Sequence, residues 1–509
     1  MLRRLTLVAA LAALACPGVA AAGAPGSWTQ VTDGSESNTL EVGLARTSNG
    51  VLHVAWQRKN GSNEDLVHTP ISSTGAQGAA SAIVTSFASL SPPALVTDGA
   101  SLTAFFGGIR STSSSDPNQN MNLAGSSDGG GSWSLAPGTV VTGGAAYAAA
   151  TSATIGPGGI TFEAWGGTFV HRGLAPTDPN NDFQAPLGGC CGYDPNIGFD
   201  PVTGSVVVAW YSNATGKLGL WAQGVDPATG APTGGAQNMP GTVTGGNSSQ
   251  QLNRTPLAVR AGGGIFAAYP GGYPTTTQVL LWRVGTGSST TIATNAAGIA
   301  HVAVAAAPDG RLWVLWTQSS PGGFRVYARR SNPTVTSWEP TISVNAPPGT
   351  GSAYRLEAAA QADRVDVLGH FGIGSGIATW HTQLRPGGGG TYTGPTKTTK
   401  TTVDDQQISF SYPNGCVSPG QKIVLRVTSK PYRVFRGRHP HATFRSVQFL
   451  LDKKVKATRR RKPYTTTLST KGLKVGRHSV WARMALNRHF PNGRNVRLTK
   501  TLKAKFSIC

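Results

Sequence analysis

The chain of 509 residues is poor in acid, with 22 Asp and Glu against 44 Lys and Arg, and charged residues of both signs make up only 13%. It has 5 cysteines and 4 methionines, and beyond the N-terminus no apolar run is long enough to span a bilayer, which needs about 20 residues. Helical periodicity is absent, and so is a Gly-X-Y repeat, which excludes collagen. No Walker loop, no G-x-S-x-G and no Cys/His pattern at metal-ligand spacing appears, so nothing calls for a metal or other cofactor. His439-Pro-His441 reads as an exposed loop rather than a metal pair.

What is abundant is glycine, 67 residues, and proline, 33 residues, while hydrophobic residues still reach 39%. That content argues against disorder and for a turn-rich all-β chain of short strands. The charge is also unevenly spread. From residue 403 onward there are 24 Lys and Arg and 3 Asp and Glu, a balance of +21; residues 23–390 hold 16 and 19, a balance of −3. The chain therefore divides into a near-neutral body and a small, strongly basic tail.

The N-terminus sets the compartment. Met1-Leu-Arg-Arg, an apolar run from Leu5 to Ala15 and small residues up to Ala22 form a secretory signal over residues 1–22. The run is too short for an anchor, and Ala13-Leu14-Ala15 before Cys16 fits a lipobox poorly. We expect a secreted chain with no transmembrane segment after cleavage.

Within a body spanning residues 23–385, one pattern recurs seven times from residue 40 to 385: a short apolar strand, a Gly-containing turn, then a second strand that usually ends in an aromatic residue. Examples are Gly50-Val-Leu-His-Val-Ala-Trp56, Gly159-Ile-Thr-Phe-Glu-Ala-Trp165 and Gly204-Ser-Val-Val-Val-Ala-Trp210; the seventh, around Asp363-Arg-Val-Asp-Val-Leu-Gly369, is degenerate. A period near 52 residues with three or four strands per unit predicts a seven-bladed β-propeller, or six blades if one hairpin is a decoration. A two-sheet sandwich would not account for seven similar units. Residues 27–32, Ser-Trp-Thr-Gln-Val-Thr, lack a hairpin partner and are expected to add the outer strand of the last blade, closing the ring.

One turn is more specific. Ser126, Asp128, Gly130, Ser132 and Trp133 fit S-x-D-x-G-x-[ST]-W, in which Asp and Ser cap amides, Gly takes φ > 0 and Trp packs between blades. On this motif the body resembles the sialidase-like, Asp-box (BNR-repeat) propellers. Residues 331–338 are at most a worn copy. Sialidases of that family use an arginine triad, an early Arg-Ile-Pro motif, an acidic proton shuttle and a Tyr/Glu nucleophile pair. Arg-Ile-Pro is missing, and Arg46 lies at the far end of a first strand, so no catalytic residue is carried over.

Residues just before each first strand should converge on the channel mouth, the usual binding face of such a ring. They are Asn38, Glu41, Ser91, Tyr147, Tyr193, Asp194, Asn253, Arg254, His301, Tyr354 and Arg355. Aromatics stack on sugar rings and arginines fork anionic groups. The adjacent Cys190 and Cys191, two residues from Tyr193, could form a strained vicinal disulfide at the mouth, leaving Cys416 to pair with Cys509 in the tail. Free thiols or bridges between the two parts are the alternatives. The ligand-binding candidates are thus Cys190, Cys191, Tyr193, Asp194, Asn253, Arg254, His301, Tyr354 and Arg355.

Residues 386–404 read as a Gly/Thr-rich linker, and residues 405–509 as a basic β-sandwich that resembles bacterial Ig-like modules. Lys453, Lys454, Lys456, Arg459, Arg460, Arg461 and Lys462 are expected in a turn, where they would hold anionic cell-surface polymer rather than intracellular nucleic acid. The expectation is a surface-associated protein that binds a carbohydrate or similar small ligand. A divergent sialidase-like glycoside hydrolase and a protein-interaction propeller are the alternatives.

Overall fold

The computed structural model describes residues 27–35, 41–110, 120–136, 150–165, 169–173, 182–184, 192–242, 254–271, 276–296, 298–320, 323–374, 376–386, 392, 396–414, 416–417, 420–432, 440–470, 473 and 476–508. The signal segment, Asn38, Tyr147, Cys190, Cys191, Asn253, His439 and Cys509 lie outside them. Among the described residues the chain is all β, apart from a single 3-10 turn at Pro157–Gly159. Among these residues no helix is long and apolar enough to cross a membrane.

The body consists of seven antiparallel sheets. Six have four strands and the second has a fifth short one. Their first strands are Gly43–Arg46, Ala94–Asp98, Ser152–Ile155, Gly192–Asp200, Leu257–Val259, Ala300–Ala306 and Ala353–Ala360. Each first strand contacts the next in chain order, and the seventh contacts the first. The early segment does what its lack of a hairpin partner implied: Thr29–Gln30 pairs antiparallel with Gly376–Leu384, Thr29 opposite His381. The degenerate seventh unit is thereby a complete sheet.

Local sequence explains the strands. Gly50, Gly204 and Gly310 each turn the chain at positive φ before an apolar second strand. The aromatics ending those strands, Trp56, Phe106, Trp165, Trp210, Tyr269 and Trp316, are all buried. Burying each contributes about 2–3 kcal/mol. Apolar clusters bridge successive sheets: Trp210 packs with Phe162, and Tyr269 with Val207. Leu368 of the seventh sheet packs with Val42 and Trp56 of the first. One sheet alone could not bury both faces, so each depends on its neighbours.

The 126–133 turn joins the third and fourth strands of the second sheet. Ser126 Oγ accepts the Gly130 amide at 2.8 Å, and Asp128 accepts the Ser132 amide at 2.9 Å and its hydroxyl at 2.7 Å. Gly129 and Gly130 have φ of 72° and 89°. Trp133 packs edge-on to His68 of the first sheet, 5.5 Å between ring centres. In the sixth sheet the 331–338 turn occupies the equivalent place, with Asn332 Oδ1 accepting the Thr336 amide at 2.8 Å.

The tail is two sheets on one apolar core that includes Phe410, Leu425, Phe449, Met484 and Phe506. Two expectations need correction. The Thr-rich half of the supposed linker is a strand, Thr396–Val403, paired along its length with Gln406–Pro413. Repeated β-branched threonine favours extended backbone, and Asp404 at φ 48° makes the turn. The basic cluster is in part strand: Lys454, Lys456 and Arg459 lie on the edge strand Lys454–Arg459 beside His441–Leu451. Lys453 sits in the preceding turn, with Asp452 and Lys453 both at positive φ, and Arg460, Arg461 and Lys462 lie in the bend that follows. Lys and Arg on an edge strand deter pairing with another chain. Cys416 lies opposite Ser507, two residues before Cys509.

Candidate ligand site at the channel mouth

The sequence candidates divide into three groups. Ser91 is structural: it is fully buried, and its hydroxyl accepts the Gly107 amide at 2.7 Å. Glu41, Arg254, His301 and Arg355 do converge, around a cavity of about 40 Å³ that Glu357 also lines. Tyr354 points elsewhere, into an open groove, and is 38% exposed.

The converging charges are largely spent on one another and on the backbone. Arg254 enters from the fifth sheet and reaches across the channel, donating to the carbonyls of Val42 at 3.2 Å, Pro93 at 2.9 Å and Thr151 at 2.8 Å. It ties together the first, second and third sheets like a strut. Glu41 accepts the Arg254 amide, and its other oxygen lies 3.7 Å from the guanidinium. Burial raises the Glu41 carboxyl above its ordinary range; Arg254 opposes this and Glu357 reinforces it. Arg355 Nη1 donates to the Tyr354 carbonyl at 3.0 Å, and burial lowers its guanidinium. His301 Nε2 donates to the Ala353 carbonyl at 3.1 Å, and burial brings its pKa down to about 4, so the ring is neutral at physiological pH.

Glu357 is the member that sequence reading missed. Its carboxylate accepts the Val42 amide at 3.0 Å and pairs with His370 at 2.7 Å; His370 in turn meets Thr379 at 3.0 Å. Strand alternation could have revealed it, because Glu357 stands two residues beyond Arg355 and so faces the same side. Below this cluster the channel holds about 200 Å³, lined by residues from all seven first strands, among them Leu44, Leu95, Ala153, Asn196, Leu257, Val304 and Ala358.

Strand register singles out three predicted residues. The first strands of the fourth, sixth and seventh sheets each slip against their second strand at the mouth end. The irregularities fall between Tyr193 and Asn196, between Ala300 and Val302, and between Ala353 and Arg355. They enclose Asp194, His301 and Tyr354. A bulge breaks the alternation and re-aims a side chain, and bulges are common beside functional sites. Asp194 also has φ of 53°, and its carbonyl accepts the Thr255 amide at 3.0 Å. Tyr193 packs at a tilt on Tyr211, 6.4 Å between ring centres.

The groove at Tyr354 is the roomier feature, about 680 Å³. Its walls are residues 33–35, the stretch leading to Tyr354, the turn after Gly372, and Lys59 from the first sheet. Six glycines line it: Gly34, Gly349, Gly351, Gly372, Gly374 and Gly376. A surface so bare exposes backbone to a ligand, and Gly34 at φ 86° holds a left-handed backbone that would strain any other residue, with Ile373 Cδ1 only 2.8 Å from where a Cβ would stand. The 40 Å³ cavity holds a water or so, whereas the groove matches small-ligand sites of roughly 300–1,000 Å³. Among the described residues no cluster of three metal-ligating side chains occurs.

No family model and no curated protein matches the chain. Solved structures resemble the chain at low identity and low TM-score. A protein of unknown function from Dyadobacter fermentans is 12% identical, with TM-score 0.42 over 72% of this chain and 99% of that one. The polysaccharide lyase Uly1 is 10% identical, with TM-score 0.40 over 68% and 90%. A mutant Aleuria aurantia lectin in complex with Fucα1-6GlcNAc is 11% identical, with TM-score 0.35 over 79% and 99%.

Proposed function

We propose that the seven sheets are the blades of a seven-bladed propeller with one Asp-box, and that the chain is a binding protein that takes a carbohydrate at its mouth. The observation that carries this reading is the bulge at Tyr354, which lines an open groove together with six glycines. An exposed tyrosine supplies a stacking face, while Asp33, Lys59 and serines supply hydrogen-bonding groups for hydroxyls. Hydrolysis is less well supported. It needs two carboxyl groups flanking a bond, yet Glu41 is buried and Glu357 is tied to His370 and the Val42 amide. Arg254, the best candidate for an anion clamp, is committed to three carbonyls.

In the same reading the tail is an Ig-like sandwich that tethers a secreted protein to an anionic cell-surface polymer. Binding of the mature protein to immobilised glycans tests the mouth. Tyr354→Ala should weaken a hit about tenfold or more, as for a truncated aromatic anchor. An unchanged affinity would remove the groove from the account.

A further inference from the structure

The basic tail contains a defined cleft, and we infer that it seats the anionic groups of a linear acidic polysaccharide. The inference rests on the tether reading above and places its contact. The cleft, about 580 Å³, lies on the smaller sheet and is lined by Arg426, Thr428, Ser429, Lys462 and Thr465, with Tyr464 at its base. Arg426 stands directly opposite Thr465 in the strand register, and Arg459 Nε donates to the Thr465 carbonyl at 3.1 Å, bringing a third cation to the rim. Arg426 and Lys462 are exposed.

All three carboxylates of the tail are engaged elsewhere. Asp404 takes both arms of Arg488, Asp405 accepts the Ala442 amide and the Gln406 side chain, and Asp452 is held by His478 and the Ser479 amide. The cleft therefore offers cations and hydroxyls with no internal counter-charge, the complement of sulfate or carboxylate groups spaced along a hydroxylated chain. A nucleic acid strand is disfavoured, because it would seek aromatic faces for its bases. Tyr464 is buried and stacked on Phe444, with ring centres 5.1 Å apart.

The test uses the intact mature protein, heparin oligosaccharides, and single-stranded DNA of equal charge, at one ionic strength. The double variant Arg426→Ala/Lys462→Ala is compared with Lys503→Ala/Lys505→Ala, which removes the same charge from the outside of the other sheet. We expect heparin affinity to fall about tenfold or more in the first and only two- to threefold in the second, with wild type preferring heparin to DNA. Equal losses would overturn the cleft while leaving a diffuse tether. Equal or tighter DNA binding would overturn the polysaccharide assignment. No heparin binding by wild type would overturn the tether itself.

Discussion

The body and the tail are both built mainly from antiparallel strands, yet they use charge in opposite ways. In the body, several ionic groups turn inward. Arg254 spans the channel, Arg46 meets Asp366 at 2.6 Å, and His381 and Gln383 share the other oxygen of that Asp. In the tail the balance is +21 and the cations face solvent, with the acids confined to turns and one Arg pair. A buried guanidinium holds sheets together because carbonyls and carboxylates replace its water. An exposed one adds little to stability and leaves its field available to a partner.

The largest expected effect breaks that contrast from the body side. Arg254→Ala would strip three carbonyls of their donor and leave buried Glu41 with only the weaker pull of Arg355, costing roughly 3–5 kcal/mol in denaturant unfolding. A loss below about 1 kcal/mol would mean the strut is not structural.

The next effect comes from Gly130→Ala. The backbone there has φ of 89°, and a Cβ would lie 2.3 Å from His68 Cε1. The cost should be roughly 1–3 kcal/mol by the same assay. Wild-type stability would show that the turn does not lock the first sheet to the second.

A third prediction concerns pH. His53 and His68 are buried, share a 2.8 Å contact, and have pKa values brought down to about 4, mainly by burial. The unfolded chain binds their protons from about pH 6.5, the native chain only near 4. Stability is therefore complete above about pH 6.5 and declines as pH falls toward 4, by on the order of 3 kcal/mol for each ring. Thermal unfolding across that window should show a falling Tm. A flat profile would contradict the neutral pair.

The smallest effect sharpens the contrast from the tail side. Lys505→Ala and Arg497→Ala remove exposed charges and should change stability by less than about 0.5 kcal/mol each, while lowering the salt needed to elute the protein from heparin. A larger stability loss would show that the tail, too, relies on its charge.

The fold was largely legible because its signals are local. A glycine turn followed by apolar residues and a terminal aromatic marks six of the seven second strands without reference to the rest of the chain. Even the closing strand could be inferred, from Trp28 and its neighbours lacking a partner. The Thr396–Val403 strand was hidden by composition: threonine beside a glycine run reads as linker until a partner strand is known. The site was legible in part. Position before a first strand pointed to Arg254, His301 and Arg355, but not to the fact that Arg254 spends its guanidinium on other sheets. The groove was invisible, because residues 33–35, Lys59 and Gly376 meet only when the seventh sheet closes on the first.

The most direct test of the binding reading is to incubate the mature protein with a mixed glycan pool, separate bound from free, and weigh both fractions by mass spectrometry. The account predicts an intact glycan retained by wild type and lost with Tyr354→Ala, with no new masses in the pool. Released sugars, or retention that ignores Tyr354, would contradict it.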